Sequence, residues 1–197
     1  MELFTSKRPV VLGVLSLALT FIQFTVVRSA DAQMPQDRPA LASLSEQTRT
    51  LVLTWLNRDC GANAKRVLED QLQAIGTVLE PVFWEAYRLG PLPANLERDQ
   101  DNMRQRYDQR QAWLKENGGK LFGAQNTTRL MQIPREQYVK KEMANLITGY
   151  KTAAILGLGL VGTQTSLPEL ERIANDADDP ASTAAKQTIT NMQTRNQ

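Results

Sequence analysis

Three glycines are the residues of this chain whose spacing most invites chemistry. Gly157, Gly159 and Gly162 stand as Gly-x-Gly-x-x-Gly within AAILGLGLVG. Between a strand and a helix N-terminus, that pattern cradles a pyrophosphate on free amides and the helix dipole. The flanking residues argue against it. Tyr138 to Leu156 follow a helical period, and Pro168 marks a separate helix start. Asp178 and Asp179 lie near the distance of a ribose-binding acid, but IANDADDP has no strand before it. Only 35 residues follow Gly162, too few to complete a doubly wound sheet.

Hydrolytic chemistry has little to draw on. The chain contains no histidine and one cysteine, Cys60, so the commonest metal ligand and general base are missing. An intramolecular disulfide is excluded, and Cys60 is expected as a buried thiol, the alternative being an intermolecular bridge. The carboxylate sets Glu97/Asp101 and Asp176/Asp178/Asp179 fall in a charge-rich helix and a turn, where acids ordinarily solvate or cap. No catalytic, cofactor-binding or metal-binding residue is assigned, and no cofactor is expected. The remaining candidates bind rather than react. Trp84 and Arg88, four apart on a helix, can stack. Tyr107 and Trp113 stand on a charged helix, and aromatic residues and arginine dominate interface hot spots. Ordinary core packing is the competing reading for each aromatic.

The elements that must position these residues begin after a distinct N-terminus. Lys7 and Arg8 precede an uncharged apolar run from Val10 to Val27, and Ala30-Asp31-Ala32 offers a cleavage site before Gln33. Residues 1–32 therefore read as a secretory signal peptide. The run is also nearly long enough to stay as a single-span anchor. Either outcome puts the body outside the cytoplasm, in the periplasm or the extracellular space. Without residues 1–32 the chain keeps 20 basic and 19 acidic side chains. That balance gives no electrostatic case for nucleic acid or an anionic membrane. A membrane is a partner only if residues 10–27 are retained.

Residues 33–42 read as an extended lead-in. Ser43 and Glu46 have the spacing of a capping box before a first helix ending near Asn57. A second helix, 62–75, is expected to bury Val67, Leu68, Leu72 and Ile75 and to stop at Gly76. A third, from Glu80-Pro81, has Leu79, Val82, Phe83, Ala86 and Leu89 on its inner face. Residues 95–116 hold ten charged side chains and a sparse stripe of Leu96, Met103, Tyr107 and Leu114. This is a charged helix, lying along the domain or standing as a partner-binding arm. Asn117-Gly118-Gly119 reads as its end, followed by a loop to Ile133 that contains a formal glycosylation sequon, Asn126-Thr127-Thr128. Pro134 opens a long helix through Leu156.

The stretch from Ile155 to Ile189 resembles a HEAT repeat of the short bacterial, phycobilisome-lyase-like kind. The resemblance rests on Leu160-Val161-Gly162, Leu167-Pro168-Glu169-Leu170, Asp178-Asp179-Pro180 and Ala184-Ala185. A second match is Leu72 to Gly76 followed by Leu79-Glu80-Pro81-Val82-Phe83. Gly76 and Gly162 are 86 residues apart, two periods of 43. Thr163 stands where the family often has an Asp, and the segment 92–139 exceeds the pattern. The resemblance implies an all-α fold of stacked antiparallel helix pairs, an α-solenoid over 43–192 with an insertion at 92–139 and a tail at 193–197. It assigns Gly162 a left-handed cap and makes faces near 64–74, 140–155 and 181–192 the binding surface. Its implied function is protein binding, so with the signal segment the chain reads as an exported scaffold that binds a protein partner; the alternatives are an enzyme, binding a nucleotide through Gly157–Gly162 or handling a chromophore as the resemblance implies, and a membrane-tethered structural protein if residues 10–27 are retained.

Overall fold

Residue 135 onward sets the architecture, because the longest helix among the described residues begins there and α2, α3, α4, α5 and α10 pack on it. The computed structural model describes residues 38–57 and 62–195, with the side chains of 62–64 outside that description. The expected signal segment 1–32 and Cys60 lie outside the described residues. In order, the helices are α1 (Pro39–Ala42), α2 (Glu46–Asn57), α3 (Ala62–Ile75), α4 (Glu80–Leu89) and α5 (Pro93–Trp113). They continue with α6 (Gly119–Phe122), α7 (Ala124–Met131), α8 (Arg135–Val161), α9 (Leu167–Asn175) and α10 (Ser182–Arg195). No strand occurs among the described residues, so the fold class is all-α.

From Ala153 to Val161 α8 is apolar all round, and all of it is buried except half-buried Leu156 and Leu160. Ala153, Ala154, Ile155, Leu158 and Val161 are each at most 2% exposed, beneath α2, α4 and α10. A helix with no polar face belongs in a core. Gly157 lets α4 approach closely: a Cβ there would lie 2.6 Å from two ring carbons of Phe83. Two side chains donate to α8 carbonyls, Trp55 Nε1 to Ala153 O at 2.8 Å and Thr188 Oγ1 to Ile155 O at 2.9 Å. At its C-terminus, the Arg195 guanidinium donates to the carbonyls of Leu160 and Gly162. A cation thereby meets the negative end of the helix and satisfies carbonyls without an intrahelical partner.

The N-terminal half of α8 pairs with α5, which runs antiparallel to it. Arg135 bonds Asp108 at 2.7 Å and Tyr138 meets the Tyr107 ring at 5.5 Å, while Arg98 and Tyr150 line one cleft further along. The sparse stripe of α5 is what is covered: Met103 and Leu114 are buried, Leu96 and Tyr107 half-buried.

Several local expectations change. The lead-in ends in a helical turn, α1, whose amides at Ala40 and Leu41 donate to the Glu85 carboxylate. The cap of α2 is Ser45, whose Oγ accepts the Thr48 amide at 3.2 Å, not Ser43, which ends α1. Asn117-Gly118-Gly119 does not break the chain. It passes through a π turn at Leu114–Gly118 directly into α6, and the expected loop to Ile133 is largely α6 and α7. The helix stops instead at Gly123, where φ is +78°. Gly162 ends α8 with φ −66° and ψ 152°, so its conformation is extended rather than left-handed. Val67 and Leu89, expected inside, are 57% and 44% exposed.

Candidate functional site

The charged helix α5 leads to the apolar surface of greatest interest. Its last residue, Trp113, is 44% exposed and meets Phe122 of α6 edge-on at 6.1 Å. Phe122 is 45% exposed and its neighbour Leu121 is 64% exposed. The π turn makes this cluster possible: it re-aims the chain so that α6 and α7 fold back on the turn. Gly118 is needed there, since a Cβ would sit 2.6 Å from Thr127 Cγ2. Thr127 itself is held by a bond from its hydroxyl to Gly123 O at 2.8 Å. Exposed Lys115, Lys120 and Arg129 stand on the same three segments, with Glu116 the one acid among them. Two half-covered rings in contact and an exposed leucine next to one of them in sequence, on segments that also carry exposed cations, suit a partner with an apolar face and acidic surroundings.

The four candidate anchors separate into different roles. Trp113 is in that cluster. Tyr107 is half-buried, donates to Ile133 O at 2.8 Å and packs on Tyr138, so it fastens α5 to the start of α8. On α4, the Arg88 guanidinium lies 5.6 Å from the centre of the Trp84 ring, the stacking expected from their spacing. Trp84 is also tied inward, its Nε1 donating to Ser166 Oγ at 2.9 Å. Ser166, 2% exposed, donates in turn to the Glu80 carboxylate, which accepts the Thr163 amide at 3.0 Å as well. This chain of bonds makes Trp84 a structural residue with one open face. Sequence reasoning missed Leu121 and Phe122 because they follow two glycines; the available signal was Lys-Leu-Phe closing a charged helix.

Most residues considered for chemistry are occupied with structure, while Glu97 and Asp178 are exposed. Gly157 and Gly159 lie inside α8, against Phe83 and Thr188, so their amides serve the helix ladder and the space at Gly157 is filled by a ring. Asp179 accepts the Ala181 amide at 2.8 Å and the Tyr87 hydroxyl. Burial first, then this bond to a carboxylate, hold the Tyr87 phenol above its ordinary range. Asp176 accepts the Asp178 amide at 3.0 Å, and Asp101 bonds Arg104 at 2.8 Å. Among the described residues no group of three or more His, Cys, Asp and Glu is arranged to hold a metal ion. The stretches of α8 and α10 expected to line a binding surface each bury one side, with Tyr150, Ala153, Ala154, Ala184, Ala185, Thr188 and Met192 in the core, and leave Lys140, Lys141, Ala144, Asn145, Thr183, Lys186, Gln187 and Thr190 exposed.

Comparison with known proteins adds no relative: no family model, curated protein or solved structure matches the chain.

Proposed function

We propose that this is an exported interaction module whose helices are arranged as HEAT-like pairs, and that it docks a protein partner on the Trp113–Leu121–Phe122 cluster. The observation that carries the reading is the joint exposure of those three side chains beside Lys115, Lys120 and Arg129. Folding leaves them partly in water, and covering the exposed remainder would gain each about 1 kcal/mol. A partner face with apolar side chains and nearby carboxylates supplies that burial and matches the charge.

The repeat arrangement draws support from two equivalent junctions. Gly76 (φ +79°) leads through a 3₁₀ turn to α4, which has Pro81 in its first turn. Gly162 leads through a 3₁₀ turn to α9, which has Pro168 in its first turn. Glu80 of the first junction binds Thr163 and Ser166 of the second, so the two lie side by side although 86 residues separate Gly76 from Gly162, as stacked helix pairs do when the segment between them is an insertion.

The test is a pull-down from the native host comparing the unaltered chain with Trp113→Ala/Phe122→Ala. Loss of a specific partner, restored by Trp113→Phe in a Phe122 background, is expected. An unchanged partner set sinks the docking surface. Export is tested on the same material by intact mass: an N-terminus at Gln33 is expected, and a chain starting at Met1 replaces secretion with anchoring.

A further inference from the structure

A second, unrelated feature is a cleft of about 360 Å³ where the end of α2, the middle of α5 and α8 meet. Its floor is apolar: Leu56 and Met103 are buried and Leu146 is half-buried. Its rim is polar, and the two arginines on it differ. Arg98 lies against Asp99, Nε to Oδ1 at 3.4 Å, so its charge is offset. Arg106 has no ion pair or hydrogen bond among the described residues, and neither do the side chains of Asn57 and Asn102 beside it. The cleft thus offers one uncompensated guanidinium, two amides and a greasy floor.

Gly149 supplies an independent observation. It sits inside α8 on the wall of this cleft, and a Cβ there would meet nothing within 4 Å. Glycine inside a helix costs about 1 kcal/mol relative to alanine. At Gly157 the Phe83 ring accounts for that cost, but at Gly149 no packed neighbour does. Its effect is to leave the backbone bare on this wall of the cleft.

We propose that this cleft binds a small organic carboxylate, with the carboxylate on Arg106 and the apolar body on the floor formed by Leu56, Met103 and Leu146. A planar guanidinium fork matches a carboxylate bidentately. One free cation suits a monoanion, and the floor suits a body of a few carbons rather than a bare inorganic ion.

Calorimetric titration of the full chain with hexanoate and benzoate tests this, with hexanamide and inorganic phosphate as controls. Saturable binding of at least one carboxylate is expected, with hexanamide and phosphate at least about tenfold weaker. Arg106→Leu removes the charge and Gly149→Leu fills the space, so each raises the Kd about tenfold or more, whereas Arg106→Lys retains part of the affinity. Far-ultraviolet circular dichroism of each variant reports whether it is folded, and exposed Arg106 gives no reason for loss. The proposal is overturned by absence of saturable binding for both carboxylates up to about 10 mM. It is equally overturned by hexanamide matching hexanoate, or by an affinity that Gly149→Leu leaves unchanged.

Discussion

Gly157 and Gly159 are two residues apart on one helix, and their surroundings make opposite demands. At Gly157 an added Cβ lands 2.6 Å from the Phe83 ring; at Gly159 the nearest atom, Thr188 Oγ1, is 3.4 Å away. Gly157→Ala is therefore expected to lose about 1–3 kcal/mol to overpacking, despite the helix propensity gained. Gly159→Ala is expected to be neutral or to gain up to about 1 kcal/mol. Urea unfolding of both decides it, and equal stabilities would refute the assigned contact. Tyr150 gives a pH signature. It is 2% exposed beside the Arg38 guanidinium, and burial pushes its phenol up to about 12, the cation opposing. The folded value lies above the unfolded one, so this stability is complete below about pH 10 and is lost as pH rises toward about 12. The loss amounts to about 2–3 kcal/mol. Tyr150→Phe should leave stability at pH 7 little changed and shrink the alkaline loss, read from urea midpoints at about pH 9 and pH 11. A wild-type profile kept in the variant removes Tyr150 as its source.

At the scale of elements, start signals were legible in type but not always in position. Pro81 and Pro168 do open α4 and α9, because a first-turn proline lacks only an amide the helix does not use. The cap of α2 was displaced by two residues. Ser43 and Ser45 are chemically alike, and what selects Ser45 is the α1 turn, which occupies Ser43 with Ala40 O at 2.8 Å. Ser45→Ala should cost about 0.5–2 kcal/mol and Ser43→Ala less than about 0.5 kcal/mol, measured by chemical denaturation. The reverse order would restore the sequence-based cap. The end of α5 was misplaced because two adjacent glycines signal a break only where the chain takes a conformation that needs them. Gly118 and Gly119 are helical, and Gly118 is there for Thr127; the turn falls at Gly123.

For the whole molecule, the division between core and surface aromatics decides which substitutions affect folding and which affect binding. Phe83 is fully buried and Trp55, 5% exposed, bonds the central helix, so replacing either by alanine should cost about 3–5 kcal/mol. Trp113→Ala and Phe122→Ala, at 44% and 45% exposure, should each cost under about 1 kcal/mol while abolishing partner capture. Thermal unfolding run beside the pull-down separates these cases. A large stability loss from Trp113→Ala would make it a core residue and withdraw the docking surface.

The sequence by itself determined that the chain is helical, that Leu68, Leu72, Leu79, Val82, Phe83 and Ala86 are core, and that Trp84 and Arg88 can stack. These follow from local spacing, since residues three or four apart share a helix face whatever the helix packs against. Tertiary structure alone decided that α8 is the centre, that its glycines meet Phe83 and Thr188, and that Trp113 finds Phe122 across a π turn. Those facts depend on which faces meet, and burial is a property of the neighbour as much as of the residue. A tryptophan at the end of a charged helix has the same letters whether a second helix covers it or the chain turns away and leaves it in water.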